Sequence, residues 1–253
     1  MKIFHKKSDL IIHINHLKDL GSTIGFVPTM GALHEGHLSL LNKSCSNNDV
    51  SVVSIFINPT QFNKSSDLST YPKNLKADCS LLKKISDEIL VFAPDSNEMY
   101  GHKLYTKSYN FNGLDKYMEG KFRGNHFDGV ATVVEILLNI IKPDTAYFGK
   151  KDFQQLQIIR TLENNVRIVG CETQREKSGL ALSSRNNKLS SYSKDLASNI
   201  YKNLIFIKSN ISNYSIEDLI KTVTHNINSF DQMNLEYLIV ADEDKLVPTS
   251  SIK

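Results

Sequence analysis

Residues 25–41 read GFVPTMGALHEGHLSLL, and few folds accommodate such a run. Ile24, Phe26 and Val27 form a short apolar stretch that predicts a buried strand. Pro28 has no N–H to give a ladder and is expected to end it. Gly31 and Gly36 loosen the backbone that follows, and Leu38, Leu40 and Leu41 begin an apolar pattern suited to a helix packed on a sheet. The run therefore predicts a strand, a glycine-containing turn and a helix start carrying His34 and His37. The first N–H groups of a helix lack internal partners and carry the positive end of its dipole, so a phosphate fits there. Histidines three apart share one face of the first turn, from which both can donate to one phosphate. Spacing alone leaves three readings open: phosphate donors, metal ligands or surface side chains. No Cys or His cluster elsewhere offers a third and fourth ligand. HEGH is also one residue too short for the HExxH of zinc proteases.

A length of 253 residues admits one large α/β domain or two of unequal size, and 40% hydrophobic with 23% charged residues is ordinary for a globular protein. A net charge of +3 does not imply a nucleic-acid partner, although it suits a pocket for anionic substrates. Cys45, Cys79 and Cys171 are scattered and odd in number, as expected of free thiols in a reducing cytosol. The start is charged and polar, with no signal peptide, and no apolar run approaches membrane-spanning length. A cytoplasmic protein without a membrane partner is expected.

Along the chain, residues 8–20 predict a leading helix with Ser8 as its N-cap. Residues 50–57 (VSVVSIFI) suit a central parallel strand, ending in Asn58-Pro59-Thr60-Gln61. Ligands of open α/β sheets bind beyond the carboxyl ends of the strands, where Asn58 and Gln61 fall. A helix near 74–86 and a strand at 88–93 follow. Residues 96–127 are irregular and end in EGKFRGNHF (residues 119–127), a glycine-bearing segment of the kind that often forms a lid or binding loop. Residues 129–142 predict a buried helix stopped by Pro143. Residues 145–148 predict a strand leading into Gly149-Lys150-Lys151-Asp152 and a helix to about residue 164, a second strand–glycine–helix junction. There Lys151 supplies a positive charge, Asp152 a carboxylate suited to ribose or to an N-cap, and Gln155 lies one turn in. Residues 166–169 predict the last strand of this unit. Alternation of strands and helices argues for a doubly wound parallel sheet. Beyond a polar loop containing Ser183, Ser184 and Arg185, residues 190–208 and 215–230 predict amphipathic helices and residues 234–241 one strand. A boundary is expected near 175, with residues 1–175 forming the larger domain and 176–253 a small α+β domain.

PTMGALHEGH, NPTQF, FGKKDFQQL and GLALSSRN, in this order, resemble the pantothenate synthetase (pantoate–β-alanine ligase) family, over nearly the whole chain. The resemblance also takes in HFDGVATVV and the YLIV segment near the end. It implies membership of the HIGH-motif nucleotidyltransferases: a Rossmann-like N-terminal domain, a smaller C-terminal lid domain, and a homodimer. The implied reaction joins D-pantoate to β-alanine in two steps. The pantoate carboxylate attacks the α-phosphorus of Mg-ATP to give pantoyl adenylate and pyrophosphate; the amine of β-alanine then displaces AMP. No tightly bound organic cofactor is implied, and no protein ligand for Mg2+ can be named from the sequence.

By the same resemblance, Met30, Gly31, Ala32, Leu33, His34, Glu35, Gly36 and His37 cradle the triphosphate, with His37 and His34 catalytic. Gly149, Lys150, Lys151 and Asp152 form a second ATP-binding segment, in which Lys151 neutralises phosphate charge. Gln174 contacts the nucleotide through its backbone. Leu182, Ser183, Ser184 and Arg185 occupy the place of a loop that closes over pyrophosphate, with Arg185 assigned to catalysis. Gln61 and Gln155 bind pantoate, Gln61 also lying near β-alanine. Lys150, Ser178 and Lys73 stand where the family commonly has Glu, Asp and Arg. The chain stops at Lys253, short of the family's usual final strand and RLIDN-like segment, which bears on the C-terminal sheet and not on the ATP site. Two other readings compete: a small-molecule adenylyltransferase that stops at the adenylate, and a synthetase-like RNA-binding module. The paired glutamines and the GLALSSRN loop weigh against the first. The small net charge and the intact HxGH, Lys151 and Ser-Ser-Arg weigh against the second.

Overall fold

A parallel strand covered on both faces is expected to be mostly apolar, and the two central strands are so except for Thr29, Ser51 and Ser54. In the computed structural model, which describes residues 1–162 and 165–251, β2 (Ile24–Thr29) and β3 (Val50–Ile55) are buried almost throughout. With β1 (Lys2–Phe4), β4 (Leu90–Phe92), β5 (Thr145–Gly149) and β6 (Arg167–Cys171) they form an all-parallel sheet in the order β1-β4-β3-β2-β5-β6. Ten helices surround or follow it among the described residues: α1 (Lys7–Asp19), α2 (Glu35–Asn47), α3 (Ser65–Ser69), α4 (Leu75–Leu82), α5 (Ser96–Tyr100), α6 (Met118–Phe122), α7 (His126–Ile141), α8 (Phe153–Arg160), α9 (Ser191–Asn210) and α10 (Ile216–Asn228).

Alternation along each strand sorts the side chains into two cores. Phe26, Val52, Phe92 and Phe148 point to one face, where α1, α7 and α8 contribute Leu10, Leu137 and Ile158. Val27, Val53, Val91 and Tyr147 point to the other, against Leu41 of α2 and Leu82 of α4. The sheet is doubly wound, as expected. A third cluster, Ile207, Leu219, Val223 and Ile227, lies between α9 and α10. The chain then returns to the sheet, where Leu246 is buried in the first core.

The strand order reverses between β2 and β5, and there the sheet splits. Gly25 and Phe26 pair with Thr145 and Ala146, and no register continues beyond them. Pro28 does not end β2: Pro28 and Thr29 stay in register with Ser54 and Ile55 of β3. The carbonyl of Ile24 accepts from Asp144 on the β5 side, while those of Thr23 and Thr29 accept from Val50 and Phe56 on the β3 side. By alternation Pro28 faces β5, where pairing has already stopped and no N–H is needed.

Two close approaches set what surrounds the split. A Cβ on Gly25 would overlap Ser44 Oγ and the Asn48 amide, so α2 sits directly on β2. A Cβ on Gly129 would overlap the Thr60 carbonyl, so α7 presses on the 3-10 turn Pro59–Gln61.

Several expected boundaries shift. Ser8 lies inside α1 rather than capping it; the first N–H of that helix is met by Glu98 Oε1 at 2.9 Å, a partner far away in sequence. Strand β1, too short to carry a period, pairs with β4. The helix expected to reach residue 164 ends at Arg160; residues 163 and 164 lie outside those described. Residues 234–241 do not form the expected strand. Among the described residues the segment finds no ladder beyond an Ala241–Pro248 bridge, and Leu235, Leu238 and Val240 instead pack against the cluster between α9 and α10.

Candidate active site

The crevice at the split between β2 and β5 has a volume of about 230 Å³. It lies past the carboxyl ends of the strands at the switch point, where open α/β sheets bind ligands. Met30, His34, Gly36, His37, Gln61, Gly149, Lys151, Asp152, Gln155, Gln174, Leu182, Ser183, Ser184 and Arg185 all line it. Gly31, Ala32, Leu33, Glu35 and Lys150 do not reach its surface. Lys150 instead pairs with Glu172, which lines the crevice edge.

The turn after β2 is held from behind. Thr29 Oγ1 donates to the Ser54 carbonyl at 2.7 Å and accepts from Gly31 N–H at 3.1 Å. Asp78, 3% exposed on α4, accepts from Ala32 N–H at 3.1 Å and Leu33 N–H at 2.7 Å. Burial raises the Asp78 carboxyl, while those two backbone donors oppose the rise. Ala32 takes a left-handed φ of 50°, a strained conformation for a residue with a side chain. Its carbonyl accepts from Ser184 Oγ at 3.0 Å.

His34 and His37 close the turn onto α2. His34 Nδ1 accepts from Gly36 N–H at 3.1 Å, and His37 Nδ1 from His34 N–H at 3.3 Å. The rings lie 4.0 Å apart at 36°. Each Nδ1 accepts, so each neutral ring carries its proton on Nε2. Burial is the main reason both titrate below the usual histidine range, with Lys151 adding to it; His37, which also faces His34, falls to about 3. The pair is thus a set of neutral N–H donors. Of the helix N–H groups expected to meet a phosphate, that of Gly36 is already taken by His34, while the expected imidazole donors stand. The N–H groups of Gly31, Ala32, Leu33, His34 and Gly36 are already taken, and the imidazoles present donors in their place.

The second junction is looser. Lys150–Asp152 form a 3-10 turn, Asp152 makes no side-chain cap on α8, and its carboxylate instead pairs with Lys151 at 2.7 Å. Across the crevice, Ser183 accepts from Arg185 N–H at 3.3 Å, and Arg185 bonds Asp67 at 2.7 Å with its guanidinium 5.7 Å from the Tyr71 ring.

Gln61 is set by a buried relay. Asn58, 1% exposed, donates to Gln61 Oε1 at 3.0 Å and to the Gly129 carbonyl at 3.1 Å. Tyr100 Oη donates to Asn58 Oδ1 at 2.6 Å. Gln61 Nε2 lies 3.2 Å from Met30 Sδ. Asn58 therefore orients Gln61 from the floor of the crevice. Sequence reasoning did not single out Asp78, Tyr100 or Asp67. Asp78 did leave a signal: with Leu75, Cys79 and Leu82 it falls on the apolar stripe of α4, where a carboxylate needs partners.

Known proteins resemble this chain along nearly its whole length. A family model described as pantoate-beta-alanine ligase matches residues 2–253. A pantothenate synthetase from Christiangramia forsetii is 46% identical over 250 residues, covering 97% of this chain and 88% of its own length. A crystal structure of pantothenate synthetase from Thermus thermophilus superposes with a TM-score of 0.92 at 34% identity, covering 100% of this chain and 91% of that one. A Francisella tularensis pantoate-beta-alanine ligase, complexed with beta-gamma ATP and beta-alanine, superposes with a TM-score of 0.77 at 40% identity, covering 90% and 86%.

Proposed function

The chain belongs to the pantoate–β-alanine ligase family, and from that premise we propose how its residues make pantothenate from pantoate, β-alanine and ATP. The first step is attack of the pantoate carboxylate on the α-phosphorus of ATP, giving pantoyl adenylate and pyrophosphate. A carboxylate is already ionised at neutral pH and needs no base; the step needs alignment and relief of charge on the phosphoryl oxygens. His34 and His37 donate from Nε2 to those oxygens, and hydrogen bonds to an ionised acceptor are the stronger kind. Lys151 exchanges Asp152 for the phosphates, and Asp152 is freed for the ribose. Gln61 and Gln155 hold pantoate, as neutral amides that do not repel its carboxylate. Arg185 releases Asp67 and, with Ser183 and Ser184, closes over the leaving pyrophosphate. The β-alanine amine then displaces AMP.

The observation that carries this reading is the tautomer of the histidine pair. Rings that accept backbone N–H at Nδ1 can only donate at Nε2, which suits a phosphate and not a metal. Mg2+ arrives with ATP as part of the substrate. Among the described residues no group of three or more His, Cys, Asp or Glu side chains converges, which fits an ion held by triphosphate and water.

The reading extends to residues 176–253 acting as the lid domain, and to a cytoplasmic homodimer, for which sedimentation would give the mass of two chains. The catalytic test uses purified protein with ATP, Mg2+ and D-pantoate, with or without β-alanine. Without it, about one equivalent of pyrophosphate per site is expected, because the adenylate stays bound. With it, AMP and pantothenate accumulate continuously. Continuous pyrophosphate with a stable released adenylate would overturn the two-step scheme.

A further inference from the structure

The residues that reach the crevice from beyond β6 are carried on a hairpin, and the hairpin leans on α9. Arg175 and Ala181 bridge as antiparallel partners. Glu176 N–H donates to the Leu180 carbonyl at 2.8 Å, and Leu182 N–H to the Gln174 carbonyl at 3.0 Å. The two ends of this hairpin, Gln174 and Leu182, line the crevice, and Ser183, Ser184 and Arg185 follow directly. A hairpin this short does not hold its own position, since an isolated two-stranded ribbon is marginal in water. A contact outside it must fix it.

That contact is Tyr201, in the middle of α9. The Arg175 guanidinium carbon stands 3.8 Å from the centre of the Tyr201 ring, and one of its nitrogens donates to the Gly179 carbonyl at 3.2 Å. Arg175 forms no ion pair among the described residues, so its charge is met by the ring face and that carbonyl. A planar, delocalised cation suits an aromatic face in a way that the point charge of a lysine does not. Gly179, at a φ of +92°, lies so close that a Cβ there would come within 2.6 Å of Tyr201 Cδ1. One ring therefore touches both sides of the hairpin. Neither Arg175 nor Tyr201 lines the crevice. Ser184 has an anchor of its own, donating from Oγ to the Ala32 carbonyl at 3.0 Å. Loosening the hairpin thus frees Gln174 and Leu182 more than the serines.

From this contact we infer that Tyr201 is a positioning residue for ATP: through Arg175 and Gly179 it seats the hairpin against the nucleotide and ties the α9–α10 pair to the crevice. Gln174 and Leu182 meet the nucleotide in the ground state and the transition state alike, so losing their seat weakens uniform binding and spares the chemical step. The inference rests on the ligase reading and names a residue outside the crevice on which its affinity for ATP depends.

The test is Tyr201→Leu, which removes the ring and keeps an apolar residue of high helix propensity. KM for ATP is expected to rise about tenfold, with kcat and KM for D-pantoate held within about twofold. Tyr201→Phe keeps the ring face and its contact with Gly179, and should match the unmodified enzyme. Arg175→Met should give the same rise in KM for ATP. Combined with Tyr201→Leu it should add little, because the two side chains make one contact. Equilibrium binding of Mg-ATP, measured without pantoate, should rank the variants in the same order. Unchanged ATP affinity in Tyr201→Leu, equal losses for ATP and pantoate, or a Tyr201→Phe variant as weak as Tyr201→Leu would overturn the inference. If the unmodified enzyme formed no pyrophosphate from ATP and pantoate, the ligase reading itself would fail, and the binding series would still decide the role of Tyr201.

Discussion

The two strand–turn–helix junctions flanking the crevice look alike in sequence and differ in build. At the β2–α2 junction the N–H groups of Gly31, Ala32, Leu33, His34 and Gly36 have protein partners: Thr29, Asp78, and the two histidines. At the β5–α8 junction Lys151 and Asp152 are exposed, hold only each other, and leave the helix uncapped. One side is a fixed mould and the other a pair of charges that can trade partners. Fixed donors are worth most where charge develops during reaction, because they need no reorganisation. Exchangeable charges suit a polyanion that must enter and leave.

The largest effect expected from breaking this contrast is at His37. His37→Ala should slow adenylate formation by about 10²–10³-fold, as for loss of a preorganised oxyanion donor, with little change in pantoate binding. Single-turnover pyrophosphate release would read it, and an unchanged rate would remove His37 from its role. Lys151→Met should act mainly on binding, raising KM for ATP by about tenfold and flattening its salt dependence. Thermal stability should not change, since its exposed partner loses little.

Asp78→Asn probes the mould from behind. An amide can satisfy one of the two N–H groups and sets a donor against the other, at a cost of about 1–3 kcal/mol. The melting temperature should fall by several degrees, and Asp152→Asn at the looser junction should leave it in place. Acid should separate the junctions too. His37 titrates at about 3 in the fold against 6.5 unperturbed, so protonation favours the unfolded chain. Its contribution is complete above pH 6.5 and drains away as pH falls toward 3. Denaturation midpoints for the His37→Asn variant should be flatter over that window. The smallest effect belongs to Asp67→Asn. The Arg185–Asp67 pair is half exposed, and such pairs contribute about 0–1 kcal/mol, so KM for ATP should move by about threefold or less.

What the sequence showed follows from what local pattern can encode. The doubly wound sheet was legible because β2, β3 and β5 are apolar runs with helical periods between them. The crevice was legible because HxGH, Gln61 and GKKD fall where strands end, while SSR, in a loop beyond β6, was placed by resemblance alone. The misplaced end of β2 is of another kind. Whether Pro28 breaks a ladder depends on which neighbour its nitrogen faces, and that is settled by β5, more than a hundred residues away. The missing strand at 234–241 has the same cause: an apolar run was present, a pairing edge was not. Asp78 marks the boundary between the two kinds, since its place on an apolar stripe could be read while the N–H groups it serves could not.

Gly25 sits at the far end of β2 from the chemistry, yet it governs the height at which the histidines stand. Without a Cβ, α2 rests on the strand like a slide on its rail, with Ser44 and Asn48 touching the backbone. Gly25→Ala would insert a shim. The helix would have to lift or tilt, and its free end, bearing both imidazoles, would move with it. A displacement of about 1 Å at a reacting centre can cost about 10²-fold in rate. A mechanical tolerance, held by one absent methyl group, is thus carried along the helix to the phosphate.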